Sequence, residues 1–238
     1  LKLIIRGGGG VDNIDVAYAE EKGITVRNTP RASSDAVAEL ALGHMFSVAR
    51  YISAAGHTMR EGGWEKKAYK GIELAGRTVG IVGYGRIGQA LGRRCQALGM
   101  RVLAYDIYQN PDLVCDTMRY VELDELFAQS DIISLHVPSL PGQPLVNAET
   151  IAKMKDGVIL INTSRGTNVD EDALLAAIES GKVYGAGLDV FAEEPPKSAA
   201  LLQHPRVSAT PHIGASTVEA QKRIGAEIVD IISEKFGL

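Results

Sequence analysis

Three side chains with the chemistry to handle a carbonyl compound stand in separate segments of this sequence. Each follows an apolar run typical of a buried strand: Arg165, Glu194 and His212. An imidazole can give a proton to a ketone oxygen while a hydride reaches the carbon, because histidine titrates near neutral pH. A neighbouring carboxylate favours the protonated ring and fixes its tautomer, and a guanidinium holds a substrate carboxylate with two hydrogen bonds. Together these residue types predict hydride transfer at a carbon beside a carboxylate.

Each of the three residues also has a simpler explanation. Glu194, within a Glu-Glu-Pro-Pro run, could belong to a charged surface turn, Arg165 could be a solvated loop cation, and His212 could flank a helix. The residues alone leave both interpretations open. The remaining histidines lack a comparable setting and receive no predicted role: His44, His57, His136 and His204.

A glycine motif precedes these residues in the chain. Gly83, Gly85 and Gly88 form GxGxxG directly after the β-branched run Thr78–Val82. In a dinucleotide-binding unit the first glycine permits a tight turn, the second lets the backbone approach a pyrophosphate, and the third lets helix and strand pack closely. Asp106 ends the next predicted strand, where a carboxylate accepts hydrogen bonds from a ribose diol and repels the extra phosphate of NADP. A glycine turn without a ligand is the alternative, but strand, helix and carboxylate together favour bound NAD.

Apolar strands alternate with amphipathic helices along most of the chain, which predicts a Rossmann-type, doubly wound parallel sheet covered by helices. We expect an NAD-binding domain over residues 30–214 and a second, substrate domain formed by residues 1–29 and 215–238. Helices are expected to begin near Asp15 and within Ser33–Asp35. The other predicted helices are Ile87–Leu98, Leu123–Gln129, Ala148–Met154, Glu171–Ser180 and Thr217–Phe236. The predicted strands are Leu1–Ile5, Ile24–Val26, Thr78–Val82, Arg101–Tyr105, Ile132–Val137, Val158–Asn162, Tyr184–Val190 and Val207–Ala209.

Bulk composition narrows the class of protein. The 25 Lys and Arg residues are spread among 29 Asp and Glu residues, which argues against nucleic acid or an anionic membrane as the main partner. Cys95 and Cys115 cannot form a disulfide framework, so we expect a cytoplasmic protein. No apolar run approaches the roughly 20 residues that span a bilayer, and we predict no metal site. The chain begins inside a predicted strand without Met, so we expect upstream sequence to be missing.

Taken together, the motifs resemble the D-isomer-specific 2-hydroxyacid dehydrogenase family. The matching stretches follow the family order: 10–15, 38–40, 83–88, 162–166, 169–174, 188–195 and 211–216. The resemblance implies a hydride exchanged between NAD and C2 of a D-2-hydroxy or 2-keto acid. It implies that Arg165 binds the substrate carboxylate, that His212 is the acid/base and that Glu194 supports His212. It also implies that the substrate domain is flavodoxin-like, and incomplete here because family members have further residues before Leu1.

The resemblance extends to ligand contacts. The implied cofactor contacts are Gly83, Gly85, Arg86, Ile87, Gly88, Asp106, Val137, Pro138, Thr163, Ser164, Arg165, Asp189, His212, Gly214 and Ala215. The implied substrate contacts are Arg6, Gly7, Gly8 and Gly9, with Arg165 and His212. Consecutive glycine amides suit a carboxylate. Gly9 stands where related sequences often carry Thr or Val, so a side-chain contact to the cofactor is lost there.

Within the family, the stretch Gly63–Lys67 followed by Gly71–Leu74 is most similar to 3-phosphoglycerate dehydrogenases. That implies oxidation of D-3-phosphoglycerate to 3-phosphohydroxypyruvate, in serine biosynthesis. The candidate phosphate ligands, which could equally be solvated charges, are Arg6, Arg31, Lys66 and Lys67. The alternatives are a hydroxypyruvate/glyoxylate reductase or another D-2-hydroxyacid dehydrogenase, an NAD(H)-sensing corepressor-like scaffold, and a fragment that only binds dinucleotide. The helix from Asp35 and the loop around Trp64 resemble dimerisation elements, which implies a homodimer.

Overall fold

The computed structural model describes residues 1–139 and 141–238. They divide into two compact units, one formed by Leu1–Val37 with Gly214–Leu238 and the other by Ala38–Ile213. The first boundary between these units falls inside the helix that begins at Ser34, and the predicted domain boundary at residues 29/30 stays a prediction. The assignment of one unit to substrate and the other to cofactor stays a prediction.

The elements of the described residues are as follows. The strands are β1 (Leu3–Arg6), β2 (Thr25–Asn28), β3 (Thr78–Val82), β4 (Arg101–Tyr105), β5 (Met118–Tyr120), β6 (Ile132–Leu135), β7 (Val158–Asn162), β8 (Val183–Leu188) and β9 (Val207–Ala209). The α-helices are α1 (Val16–Glu21), α2 (Ser34–Arg50), α3 (Ile52–Arg60), α4 (Arg86–Ala97), α5 (Leu123–Gln129), α6 (Ala148–Lys153), α7 (Glu171–Glu179), α8 (Ala199–Gln203) and α9 (Val218–Phe236). Short 3₁₀ helices occupy Pro111–Leu113 and Gly166–Asn168.

The larger unit is built on one parallel sheet. Its strand order is β5-β4-β3-β6-β7-β8-β9, and every neighbouring pair is parallel. The order reverses between β3 and β6, and in such sheets ligands bind beyond the carboxyl ends of the strands at that reversal. The predicted Rossmann-type sheet is therefore confirmed.

The carboxyl ends of six strands lie on one row of paired residues. In sheet order the row is Tyr105, Val82, Leu135, Asn162, Leu188 and Ala209. The loops that follow these residues thus begin at the same level of the sheet, and they contain the predicted residues from Gly83 to His212. The row brings segments distant in sequence to one edge.

Apolar side chains cover both faces of the sheet. Along β7, Val158 and Leu160 belong to one buried cluster, and Ile159 and Ile161 to the other. β7 therefore buries both of its alternating faces, as expected for a central strand of a parallel sheet between helix layers. This burial stabilises the scaffold whose edge carries the candidate site.

The structure corrects several element boundaries. The helix from Ser34 ends at Arg50 because Tyr51 adopts a left-handed conformation with φ of 55°, and α3 then begins at Ile52. The two edge strands of the sheet are β5 and β9, and of these only β9 was predicted. The helices α3 and α8 were also missed. β6 was predicted to reach Val137 but ends at Leu135, so Val137 lies in a loop.

The smaller unit pairs β1 with β2 in parallel, and α1 and α9 belong to the same unit. Lys235 Nζ donates to Thr25 Oγ1 at 2.8 Å, and Arg223 Nε donates to the Ala32 carbonyl at 2.8 Å. A Cβ at Gly7 would lie 3.2 Å from Ile224 of α9. Both ends of the chain therefore form one unit, whose flavodoxin-like character stays a prediction.

Candidate active site

The three glycines after β3 are required for different reasons. Gly83 has a φ of 91°, and a Cβ there would lie 2.5 Å from the carbonyl oxygen of His136. A Cβ at Gly88 would collide with the carbonyl of Gly83, whereas a Cβ at Gly85 would meet no atom within 4 Å. Gly83 and Gly88 are therefore needed by the fold. The open space at Gly85 fits a ligand that approaches the backbone, as a pyrophosphate does.

The first turn of α4 presents backbone amides at the same place. Gly85 caps the helix without a side-chain hydrogen bond, and the first helical residues are Arg86 and Ile87. The first amides of a helix lack intrahelical partners and carry partial positive charge, which suits phosphate oxygens. Arg86 and Ile87 lie at this helix start, and their contact with a pyrophosphate stays a prediction.

Asp106, directly after β4, is tied to the glycine loop. Its Oδ2 accepts from the Tyr84 amide at 2.6 Å, and its Oδ1 accepts from the Tyr108 amide at 2.9 Å. A carboxylate oxygen has a further lone pair, so each can also accept from a ribose hydroxyl. The geometry therefore fits the role predicted for Asp106.

The loop after β6 carries His136, Val137 and Pro138. His136 Nε2 pairs with Ser134 Oγ at 2.9 Å, and burial lowers the pKa of His136 to about 4, so its ring is neutral at pH 7. Asn168 Nδ2 donates to the carbonyls of Val137 and Pro138 at 3.1 and 3.2 Å. This amide, which the sequence did not single out, connects the loop after β6 to the loop after β7.

The loop after β7 is held by Asn162. Its Oδ1 accepts from the amide and the hydroxyl of Ser164, at 3.1 and 2.8 Å, and its Nδ2 donates to the Arg165 carbonyl at 2.9 Å. The Ser164 hydroxyl is therefore bound within the protein. Thr163 Oγ1, by contrast, is buried with no partner among the described residues, so it can bond to a ligand.

Arg165 is half-buried, and one of its guanidinium nitrogens donates to the Ser164 carbonyl at 2.7 Å. The next residue, Gly166, packs so tightly against the backbone of Phe191 that a Cβ there would collide with the Phe191 carbonyl. The loops after β7 and β8 are thus in direct backbone contact. Arg165 and the segment leading to Glu194 are positioned together.

Glu194 is oriented by its own loop. Its Oε1 accepts from the Phe191 amide at 3.3 Å, and the adjacent Ala192 amide donates to Glu171 Oε1 at 2.8 Å. Glu171 begins α7, so a helix anchors this loop. The sequence had not indicated a role for Glu171.

The structure brings His212 and Glu194 together. The distance from His212 Nδ1 to Glu194 Oε2 is 2.8 Å, and the side chains are 49% and 41% exposed. An ionised carboxylate can only accept a hydrogen bond, so Nδ1 carries the hydrogen that points at Glu194. Nε2 is left to exchange a proton with a substrate. The arrangement matches that of an imidazole acid/base held by a carboxylate.

The backbone of His212 adopts a φ of 54°, which is uncommon for a residue other than glycine. Asp189 Oδ1 accepts from Thr210 Oγ1 at 2.6 Å and from the Ile213 amide at 2.8 Å, so it braces both sides of His212. Asp189 is 1% exposed. It lies beneath the His212 turn, and its expected contact with the cofactor stays a prediction.

The substrate residues predicted in the smaller unit make contacts of their own. The Gly8 amide donates to Thr29 Oγ1 at 2.7 Å, and the Gly9 carbonyl accepts from Asn28 Nδ2 at 2.6 Å. Arg6 donates to the Gly7 carbonyl at 2.8 Å. The Gly8 amide is therefore already paired within the unit, and the predicted contact of this loop with a substrate carboxylate stays a prediction. Gly214 and Ala215 also belong to this unit.

Within the described part of the chain, no group of three or more His, Cys, Asp or Glu residues is arranged to hold a metal ion. Nor does any described helix combine the length and apolarity needed to cross a membrane.

Residues 42–214 match the family model for the NAD binding domain of D-isomer specific 2-hydroxyacid dehydrogenases. The chain belongs to the D-isomer-specific 2-hydroxyacid dehydrogenase family. It is therefore an oxidoreductase with an NAD-binding domain, and the matched range contains every candidate residue from Gly83 to His212.

Named relatives support this membership. The chain is 53% identical over 243 residues to a hydroxypyruvate reductase of Thermotoga maritima, covering 100% of this chain and 78% of that protein. It is 47% identical over 238 residues to a D-3-phosphoglycerate dehydrogenase of Methanocaldococcus jannaschii, covering 98% of this chain and 45% of that protein. The crystal structure of a glyoxylate reductase from Paecilomyes thermophila superimposes with a TM-score of 0.91 at 39% identity, covering 98% of this chain and 72% of that one.

Gly85→Ala and Gly88→Ala form a matched pair that separates ligand binding from folding. We expect Gly85→Ala to keep the melting temperature of the free protein, because its Cβ meets open space, and to raise the NAD dissociation constant about tenfold or more by blocking the phosphates. Gly88→Ala should lower the melting temperature through its clash with Gly83. Thermal unfolding and calorimetric titration measure both effects. Undiminished NAD binding by Gly85→Ala would contradict the assigned cradle.

Proposed function

We propose that this protein exchanges a hydride between NAD and C2 of a D-2-hydroxy acid. The observation that carries the proposal is the 2.8 Å hydrogen bond from His212 Nδ1 to Glu194 Oε2, which leaves Nε2 available for a substrate. Arg165 lies in the loop after strand β7, at the start of the 3₁₀ helix Gly166–Asn168, and supplies the cation that a 2-keto acid requires. Family membership supports the same reaction.

The residues around the glycine loop fit NAD. Gly85 has open space above its backbone, Asp106 has lone pairs for a ribose diol, and Thr163 Oγ1 is a buried hydroxyl with no partner in the described protein. When bound, the dinucleotide supplies or accepts the hydride. The chain's own residues supply the remaining steps.

In the direction of reduction, His212 Nε2 gives a proton to the C2 oxygen as the ketone becomes a hydroxyl. Glu194 stabilises the imidazolium from which that proton leaves and keeps the ring in the productive tautomer. Arg165 binds the C1 carboxylate and draws electron density from the adjacent carbonyl. Oxidation reverses the proton transfer, with neutral His212 accepting the hydroxyl proton.

Two substrates are proposed within this class. D-3-phosphoglycerate is favoured by the basic loop at Lys66 and Lys67, whose side chains are exposed and able to meet a phosphate, and would place the enzyme in serine biosynthesis. Hydroxypyruvate, the second candidate, is favoured by 53% identity to a protein named for that substrate. Both are three-carbon acids that the same Arg165–His212 chemistry can process.

We also propose that the protein is a cytoplasmic homodimer. The helix α3 buries none of its residues, and Ile52 and Met59 on it are 57% and 53% exposed. Trp64, in the loop that follows, is 78% exposed. Large exposed apolar side chains in one segment are typical of a protein interface. The cysteines are free thiols, Cys95 buried and Cys115 exposed, which suits a reducing compartment.

His212→Ala should lower kcat by about 10²- to 10⁴-fold, the usual contribution of a general acid. Glu194→Gln should lower it less, within about 100-fold, because an amide no longer dictates which ring nitrogen carries the hydrogen. Glu193→Gln is the matched control, since Glu193 pairs with Lys197 and does not bond to His212. Steady-state NADH absorbance measures all three. If His212→Ala retained most of its rate, the assigned acid/base would be wrong.

The substrate proposal is tested by measuring kcat/KM for 3-phosphohydroxypyruvate, hydroxypyruvate and glyoxylate from NADH absorbance. The measurement uses the full-length protein. If the phosphate is recognised, kcat/KM should be highest for 3-phosphohydroxypyruvate. A Lys66→Gln/Lys67→Gln variant should then lose about tenfold on that substrate, or roughly 1.4 kcal/mol, and little on glyoxylate. Equal or better turnover of hydroxypyruvate by the wild-type protein would exclude phosphate recognition.

The dimer is tested by light scattering at micromolar concentration. We expect the mass of two chains for the wild type and a shift towards one chain for Trp64→Asp, because a carboxylate buried in an apolar interface is costly. Val229→Asp, a substitution at an exposed position of α9 outside the proposed surface, is the control and should keep the wild-type mass. A wild-type mass of one chain would contradict the proposal.

A further inference from the structure

His44, which the sequence left without a role, lies buried inside the larger unit. It is on α2, is 2% exposed, and has both ring nitrogens engaged. Nδ1 lies 3.0 Å from Ser208 Oγ, and Nε2 lies 3.0 Å from Thr210 Oγ1. Gly187 of β8 permits this approach, since a Cβ there would lie 2.5 Å from the Cβ of His44. A polar side chain buried this deeply is held by specific partners.

The chemistry of these partners fixes the direction of each hydrogen bond. Thr210 Oγ1 lies 2.6 Å from Asp189 Oδ1, and a carboxylate only accepts, so the threonine hydroxyl gives its hydrogen to Asp189. Thr210 Oγ1 must then accept from His44, which places a hydrogen on Nε2. Burial lowers the pKa of His44, against the opposing effect of the Asp189 charge, so the ring is neutral at pH 7. Nδ1 therefore accepts from the Ser208 hydroxyl.

This chain of bonds ends at the turn that carries His212. Thr210 lies two residues before His212, and the Ile213 amide, directly after it, donates to the same Asp189 oxygen at 2.8 Å. The His212 amide closes the turn by donating to the Thr210 carbonyl at 3.1 Å. A left-handed conformation is unfavourable for a residue other than glycine and persists only when its surroundings hold it. Thr210 and Asp189 supply that restraint.

We propose that His44 is a positioning residue for His212, acting through Thr210. His44 Nε2 donates to the Thr210 hydroxyl oxygen, so the hydrogen of that hydroxyl points at Asp189. The bond to Asp189 in turn keeps the His212 turn in one conformation. His44 touches neither His212 nor Glu194 in the described contacts. The inference rests on the proposed function, because it takes His212 as the acid/base.

The test compares His44→Gln, which keeps one donor and one acceptor, with His44→Met, which keeps the volume and removes both. We expect His44→Met to lower kcat about five- to tenfold, the loss of roughly one hydrogen bond's worth of restraint, with less than about twofold change in KM and in NAD affinity. His44→Gln should recover most of kcat. Equal losses in both variants would indicate a packing role and overturn the proposal.

A double-mutant cycle tests whether His44 influences kcat through Thr210. If His44 acts through Thr210, Thr210→Val and the double variant His44→Met/Thr210→Val should have the same kcat within about twofold, because the second change removes nothing further. If the loss of kcat in the double variant equalled the product of the two single-variant losses, the residues would act independently, which would contradict the proposal.

Nitrogen NMR of the histidine rings provides a readout that does not require turnover. We expect His44 as the neutral tautomer with hydrogen on Nε2 at pH 7, and a shift of the His212 ring signals in His44→Met but not in His44→Gln. Hydrogen on Nδ1, or His212 signals unchanged in His44→Met, would overturn the positioning role. A wild-type protein with no turnover but with these NMR results would refute the proposed function and leave the link between the two histidines established.

Discussion

The register of the parallel sheet is the constraint on which the rest of the larger unit depends. The strands β4, β3, β6, β7, β8 and β9 end on one row of paired residues. A slip of one residue in any of them would turn its side chains to the opposite face and move its loop along the edge. The buried apolar clusters on both faces oppose such a slip, because the apolar residues of each central strand belong to one cluster or the other. Packing far from the edge therefore determines which loops meet there.

The loops are then joined by backbone contact and by a small number of buried polar groups. Gly83 contacts the His136 carbonyl and Gly166 contacts the Phe191 carbonyl, so neighbouring loops leave no room for side chains between them. Asn162, Asn168 and Asp189 satisfy the amides and carbonyls that such close packing would otherwise leave unpaired. His212 and Glu194, with side chains 49% and 41% exposed, keep access to solvent and to a substrate.

Local patterns in the sequence were sufficient for most strands of the sheet and for the glycine loop. Thr78–Val82, Arg101–Tyr105 and Val158–Asn162 form strands with the predicted bounds, because each has a buried, mostly apolar centre, as expected of a strand covered on both faces. β5 has only three residues and is stabilised by pairing with β4, so no pattern marked it. The break at Tyr51 is likewise set by surroundings rather than by a proline or glycine.

In the candidate site, too, local patterns predicted some residues and not others. Arg165, Glu194 and His212 could be picked from their residue types and from their positions after apolar runs. Their supports could not, because the contacts join distant segments: His44 bonds to residues 164 and 166 positions away. The exposed cations at Lys66 and Lys67 have the charge for a phosphate, but charge alone does not distinguish a ligand from a solvated side chain. Recognition of the substrate therefore did not follow from the pattern that identified the chemistry.

The strand order also imposes an order on folding. β3 pairs with β4, which follows it closely, and with β6, which is synthesised only after β4, β5 and α5. The turn at Gly83 packs against the carbonyl of His136, which directly follows β6, so the cradle for the dinucleotide is complete only once β6 has paired with β3. Such a non-local pairing is slow, because a long loop must be closed first. NAD therefore binds only a chain that has already folded through this step; it stabilises the product by mass action and cannot template the early stages.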